Sequence, residues 1–578
     1  MQENYDENDS DNFIVEDKAP IATSQKKKIL ITIILILIIL TIIIIIISRI
    51  YRNHSEIEKI YGLFECTYYN GDGENAYIFS KKSTHISNLD IIYNNKTYHG
   101  INIELKEHGY IKIIIKFNSP LNMDYLFSGT KLNDIKMISN QKGIITSMKE
   151  AFSDCRRLDY FYISGFNTKE VKNISRLFYN NEELKEVHFN DFDTQNVEDM
   201  SELFSDCGRL EILDLSNFNT KRTKNMSKMF SKCRFLRILD ISNFNTKNVK
   251  KMNKMFYYCT KLEKLEIPKT FKTPKVTSMG HMFEYCSILT SIDLSSFDTS
   301  SVTNMGSMFT YCKGIQKLKI SHFKTKKVQK MNEMFSKCIS LTSLDISNFV
   351  TKNVYNMSLM FNSLKVTSLD LSNFNTANVE EMDNMFQDLS QVETLDLSSF
   401  DTIKLTSMNG MFNGCTNLKS IKINVDKFDT RNVVNMNNLF YNCKKLTNFD
   451  MSKFDTHNVR FMTKMFSGCE SFTSLDLSSL DTSNAKYMDE MFSGIGLTSL
   501  DLSGFSTYEV VNMEKMFYSS SKLKYLNLLN FNTNFCVNFD KIIEGIDNKT
   551  RVILSKTMQN KNENLIKALG NIINIEYL

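Results

Sequence analysis

Ten of the twelve cysteines occupy one position of a repeated phrase, three residues after a phenylalanine: Cys155, Cys207, Cys233, Cys259, Cys286, Cys312, Cys338, Cys415, Cys443 and Cys469. Thiols at a regular spacing could ligate a metal, pair as disulfides or serve as nucleophiles. The first two uses need paired or CxxC arrangements, which are missing here. Other copies of the phrase place Leu364, Leu389 or Ile495 at the same position. A slot that accepts Cys, Leu and Ile is small, buried and apolar. Asn181 and Ser520 are its polar exceptions, and Cys66 and Cys536 lie outside the series.

Carboxylates form the second series. Asp214, Asp240, Asp293, Asp345, Asp370, Asp396, Asp450, Asp476 and Asp501 each stand between the last two apolar residues of an LxxLxL phrase. With neighbouring strands about 4.8 Å apart, Asp345, Asp370 and Asp396 would form one like-charge column and Asp450, Asp476 and Asp501 another. Oxygen ligands in a row suit Ca²⁺. Glu266, Lys319 and Lys422 interrupt the series, however, and no calcium-loop motif is present. A solvated face is the simpler reading, because exposed charges interact weakly in water. The nine aspartates are therefore candidates for binding on the concave face, with no metal expected. The eight histidines are scattered, and GxSxG, P-loop and HExxH motifs are absent. No catalytic residue, no cofactor and no enzymatic activity are expected.

The elements that position these residues come from the repeat. The phenylalanine of each MF pair recurs at 152, 178, 204, 230, 256, 283, 309, 335, 361, 386, 412, 440, 466, 492 and 517, and Leu126-Phe127 is a degenerate earlier copy. A period of 20–29 residues with an LxxLxL core is that of a leucine-rich repeat solenoid. Leu236, Leu239 and Ile241 read as the strand of one copy. Val249, Met252, Met255 and Phe256 are spaced by three, three and one, which predicts a helical or 3₁₀ return. The expected fold class is an α/β repeat solenoid over 121–537, with a parallel β-sheet on its concave face. The Phe and Met stripe is core, and Asn243, Asn245 and Asn248 are expected to satisfy backbone groups in the turns.

Four segments flank the array. Residues 1–28 read as a disordered acidic tail. Residues 29–48 read as one transmembrane helix, since the uncharged run 29–47 would span about 28 Å. No small-residue cleavage site follows it. Residues 49–120 read as a β-rich cap next to the membrane and 538–578 as a C-terminal α/β cap, because open solenoid ends expose apolar surface. Lys18 and Lys26 to Lys28 before the run, against Arg49, Arg52 and Lys59 after it, place the N-terminus in the cytoplasm and the repeats outside the plasma membrane. The net charge is only +5, and no basic run is long enough to imply nucleic acid.

The phrase LxxLDLSNFNTxNVxxMxxMFxxC resembles that of the BspA-like leucine-rich repeat surface proteins. Units such as LRILDISNFNTKNVKKMNKMF fit it closely, and the likeness covers about residues 121–537. It implies display at a cell surface and adhesion to host, matrix or other cells through a protein or cell-surface ligand. It carries no catalytic residue to this chain. Many bacterial relatives are lipidated or wall-attached, whereas this chain has an uncleaved Ile-rich run. The alternative reading is an intracellular, membrane-tethered scaffold for protein–protein interaction.

Overall fold

The backbone amides of each MF segment point alternately along the rung and out of it, and this alternation builds the array. Around Phe230, the N–H groups of Met226, Lys228, Phe230 and Lys232 donate to carbonyls of the next rung: Lys251, Asn253, Met255 and Tyr257, at 2.6–3.0 Å. The amides between them, of Met229, Ser231 and Cys233, close tight turns onto the residue three back, at 3.1–3.3 Å. The same pattern recurs down the molecule. A computed structural model describes residues 61–578 except 72–75, 119, 141–142, 557–562 and 571.

Such alternation requires left-handed backbone at two points per rung. Lys228 and Lys232, two residues either side of Phe230, have φ of 56° and 61°. Equivalent pairs are Lys254 and Tyr258, His281 and Tyr285, and Gly410 and Gly414. A non-glycine residue held there costs on the order of 1 kcal/mol. This geometry corrects the expected fold class. The return is a chain of turns and not a helix, so the solenoid is leucine-rich-repeat-like but almost wholly β and turn, not α/β. The spacing of Met252 and Met255 imitates a helical period. An α-helix, though, would send every N–H to its own i−4 carbonyl, and here half of them leave the rung. Among the described residues the one α-helix is Glu563–Ala568, near the C-terminus.

The sheet expected along the LxxLxL phrases is also interrupted. Parallel pairs join Ile238–Asp240 to Lys264–Glu266 and Thr394–Leu397 to Ser420–Ile423. A four-stranded parallel sheet closes the far end through Ser499–Asp501, Tyr525–Asn527, Arg551–Leu554 and Asn574–Tyr577. The unbroken ladder runs instead through single residues ahead of the MF turns, in steps such as Asn225↔Lys251, Lys251↔Ser278 and Ser278↔Asn304, from Asn173 to Asn538.

Inside, the columns are uniform. Sixteen phenylalanine rings from Phe127 to Phe517 stack in one file, with centroids 5.3–6.2 Å apart and planes within 15°. Each is buried, worth roughly 1.5–3 kcal/mol relative to an exposed ring. A second column belongs to the threonine of the NFNT phrase. The buried Thr220 hydroxyl accepts from the Asn245 amide at 2.7 Å and donates to the Asn245 carbonyl at 3.0 Å. Thr168, Thr299, Thr325, Thr376, Thr430 and Thr507 do the same one rung on. Asn243 and Asn248 donate to carbonyls of the preceding rung, and Asn245 accepts from the Lys247 amide.

The main sheet of the N-terminal β segment continues into the array. Its central strand, Gly62–Asn70, alternates buried and half-buried residues and lies antiparallel to Gly109–Phe117 on one side. On the other side it pairs with Leu132–Ile138, and the parallel run of the array starts from that strand with Tyr160–Ser164 and Glu186–Phe189. The outer edge strand, Lys96–His99, is mostly exposed and carries a lysine, a usual guard against edge pairing.

The membrane placement is corrected as well. Among the described residues no helix is long and apolar enough to cross a membrane. The run 29–48 that was read as a transmembrane helix, and the tail 1–28, lie outside those residues. The single-pass plasma-membrane location, with a cytoplasmic N-terminus and extracellular repeats, is accordingly withdrawn.

The threonine column supplies the first prediction. Thr220→Val keeps the shape but leaves the Asn245 amide and carbonyl without their partner, and should lower the unfolding free energy by about 1–3 kcal/mol. Thr220→Ser should recover most of the loss. Denaturant midpoints of the three proteins decide it, and equal midpoints for valine and threonine would refute a structural role for the hydroxyl.

Candidate functional site

Every cysteine of the series is free and buried. In each of the ten, Sγ lies near the carbonyl oxygen of a phenylalanine in the preceding rung, as for Cys233 on Phe204 at 3.1 Å and Cys415 on Phe386 at 3.1 Å. Burial pushes the Cys155, Cys259, Cys338 and Cys415 thiols up to about 12 and the others of the series upward too. A protonated, enclosed thiol is neither a nucleophile nor a metal ligand. Ser520 takes over the bond, its hydroxyl donating to the Phe492 carbonyl at 2.8 Å. Asn181, in the same slot, is wholly buried and makes no side-chain hydrogen bond among the described residues.

The nine aspartates are all exposed, and each has a local partner. Oδ1 accepts from the amide two residues on: Asp214 from Ser216, Asp240 from Ser242, Asp293 from Ser295, Asp345 from Ser347 and Asp370 from Ser372, at 2.8–3.2 Å. Asp396, Asp450, Asp476 and Asp501 bond the amides of Ser398, Ser452, Ser478 and Ser503 at 2.9–3.0 Å. This is an Asx turn, and it explains the recurrence of Asp before xS. Ser398, bonded through its amide, and Lys422 at 3.1 Å hold the Asp396 carboxyl down at about 2. Serine hydroxyl and amide bonds also lower Asp214, Asp293, Asp370, Asp450 and Asp476. Among the described residues no group of three His, Cys, Asp or Glu side chains could hold a metal ion.

What the face presents beyond these turns is uneven. Two columns flank the inward leucines. Down the first stand Tyr160, Glu186, Ile212, Ile238 and Lys264, and down the second Tyr162, His188, Asp214, Asp240 and Glu266. Ile212 is 80% exposed and Ile238 59%. His188 sits 5.5 Å from the Tyr160 ring and 6.3 Å from that of Tyr162, with Nε2 3.3 Å from Glu186. The two bare isoleucines form a small apolar centre with Glu186, Asp214, Asp240 and Lys264 on its rim, and the Glu186 and His188 rung separates them from the two half-buried tyrosines. The periodic aspartates were the visible signal in the sequence. The departures from the period at 160, 162, 212 and 238 were the informative one.

The chain matches one protein family, described as Mycoplasma protein of unknown function, DUF285, over residues 146–269, 231–343, 259–368, 338–421 and 416–531. No curated protein matches it. Similar solved structures include a leucine-rich repeat protein from Eubacterium ventriosum, at 13% identity over 72% of this chain and 90% of that one with a TM-score of 0.31. Another is an internalin from Listeria monocytogenes, at 14% identity over 58% of this chain and 78% of that one with a TM-score of 0.15.

Two measurements follow from the site. The ten thiols of the series should resist a disulfide reagent at pH 8 in the native protein and react on unfolding. Rapid native-state labelling of any of them would overturn the buried reading. The Asp214, Asp293, Asp370, Asp396, Asp450 and Asp476 carboxylates have folded pKa values below their unfolded ones, so their contribution is complete above about pH 4 and lost as pH falls toward about 2. The melting temperature should drop through that window. The wild-type advantage over Asp396→Asn should shrink across it and vanish near its acid end, so an unchanged difference would discount the turn bond.

Proposed function

We propose that this chain, which belongs to the DUF285 family of BspA-like leucine-rich repeat proteins, is a protein-binding array that acts in adhesion to host, matrix or other cells. The observation that carries this reading is the contrast between interior and face. Buried columns repeat one residue type rung after rung, while the exposed columns beside the leucines change: two rungs expose Ile212 and Ile238, and a third carries the half-buried Tyr160 and Tyr162. Exposed apolar centres rimmed by charge mark protein contacts, and tyrosine is enriched among residues that carry binding energy. The partner's chemistry should be apolar opposite Ile212 and Ile238, and cationic opposite Asp214 and Asp240. The other aspartates, from Asp293 to Asp501, extend that acidic file as rim charges, which steer encounter more than they add affinity. The proposal assigns the array binding and not catalysis.

Binding of the full chain to a panel of immobilised matrix proteins and to whole cells tests it. Saturable binding is expected, weakened roughly tenfold or more by the pair Ile212→Ser and Ile238→Ser with no fall in melting temperature. Failure to bind any member, or binding untouched by the pair, would sink the proposal.

A further inference from the structure

Another edge of the solenoid collects positive charge that no single stretch of sequence displays. The segment between the buried threonine and the next methionine repeats as NTKRTKN at 219–225, NTKNVKK at 245–251 and KTKKVQK at 324–330. Backbone bonds stack the first two segments directly, and reach the third through KTPKVTS at 272–278 and the lysine-free DTSSVTN at 298–304. The Lys250 amide donates to Lys224, Thr277 to Lys250, Thr303 to Thr277 and Gln329 to Thr303, at 2.8–3.1 Å. Lys251 and Lys330 lie on the continuous single-residue ladder, three steps apart. Lysines on adjacent rungs are therefore about 4.8 Å apart along one edge.

The acids facing this edge are few. Glu198 pairs with Lys224 at 2.7 Å, at its start. Asp298 lies in the middle and is held by Ser300, and Glu380 and Glu381 lie beyond its end. Lys250, Lys251, Lys326 and Lys327 are exposed, and among the described residues they form no ion pair. The counterparts further along, DTRNVVN at 429–435 and DTSNAKY at 481–487, balance one acid against one base. The excess is local, and it is not a property of the repeat.

Two surface clefts fall within this strip. One, of about 450 Å³, is lined by Arg222, Lys224, Asn248, Lys250 and Lys275 with Glu198 at its side. The other, of about 530 Å³, has Phe323 and Val350 among its walls together with Lys324, Lys326 and Lys327. Val350 is 46% exposed, at a position that other rungs fill with Asn or Asp. Ser300, Ser321 and Asn348 complete that cleft.

We propose that this edge binds a linear acidic polysaccharide, its carboxylate or sulfate groups lying along the lysine rows and its sugar rings in the two clefts. Hydroxyl and amide side chains among the lysines suit sugar hydroxyls, and the exposed Val350 suits the C–H face of a ring. Single-stranded nucleic acid is bound by aromatic platforms interleaved with basic residues. Here Phe323 is buried, Tyr355 is half-buried with Lys330 over its ring at 5.6 Å, and among the rings lining the two clefts only His322 is exposed. A straight edge whose bases fall in two groups, either side of the lysine-free rung 298–304, also does not follow the helical path of duplex phosphates. An extended glycan with one anionic group per sugar unit or per pair fits it. Aligned like charges repel in the free protein, and a bound polyanion removes that repulsion.

Heparin oligosaccharide binding by the full chain tests the proposal, beside single-stranded DNA and anionic lipid vesicles. Two triple variants neutralise the clefts: Arg222→Gln, Lys250→Gln and Lys275→Gln, and Lys324→Gln, Lys326→Gln and Lys327→Gln. A third, Lys427→Gln, Lys453→Gln and Lys486→Gln, removes equal charge from exposed sites in later rungs. Salt-sensitive heparin binding is expected, weakened on the order of tenfold by either cleft variant and little changed by the third. No heparin binding, an equal loss in the third variant, or tighter binding of DNA or vesicles would each overturn the assignment.

Discussion

The fold depends on one arrangement of amides. Because every second N–H of the MF turn donates to the following rung, no rung can satisfy its own backbone, and each needs a neighbour of the same shape. A buried amide without a partner costs as much as a lost hydrogen bond or more, so the neighbour must hold its carbonyls in register. Stacked phenylalanines, threonine hydroxyls and thiols then meet their counterparts at the same spacing. The ends carry the same demand. Gly62–Asn70 meets it by pairing antiparallel onto Leu132–Ile138, and Arg551–Leu554 with Asn574–Tyr577 meet it at the other end.

That arrangement also explains what was hidden. The left-handed residues two either side of each MF phenylalanine are far more often Lys, Tyr, Glu, Asp, Asn or Ser than Gly. The conformation is imposed by bonds to the next rung and not by local preference, so residue type at Lys228 or Tyr285 gives little sign of it. The methionine spacing remained visible and suggested a helix. A period of three suits a string of tight turns as well as a helix, and only the destination of the amides separates them. The strands of the N-terminal segment were plainer. Gly62–Asn70, Leu89–Tyr93 and Gly109–Phe117 follow alternation that is readable by eye, because one face of each packs on the core.

The site was legible in part for a related reason. The aspartates draw attention because they recur, yet recurrence is what a turn requirement produces: Asp240 recurs because the Ser242 amide needs an acceptor. The threonine of NFNT recurs as strictly and is as structural, though its two bonds reach across rungs and leave no trace in local pattern. The cysteine slot shows the converse. Its tolerance of Leu and Ile identified a buried position, and Ser520 keeps the thiol's bond, but Asn181 brings two polar atoms to it without partners. Departure from the period at a buried position costs stability. At an exposed position it costs almost nothing.

That asymmetry lets one scaffold carry separate chemistries. Exposed columns are read down the stack, one residue per rung, and the sequence places neighbours in a column about 26 residues apart. Ile212 and Ile238 become adjacent only in this sense, as do Lys224 and Lys250. Substitutions in one column leave the buried ones untouched, so the face beside the leucines can turn apolar at Ile212 and Ile238 while another edge turns basic over rungs that overlap it only in part. A partner engaging several rungs would gather many weak contacts, each unimportant alone, and its affinity would rest on how many rungs keep the right residue in register. Selection on binding would then act through the rungs jointly. The folding constraint would act on each rung singly, and this difference separates the uniform interior from the uneven surface.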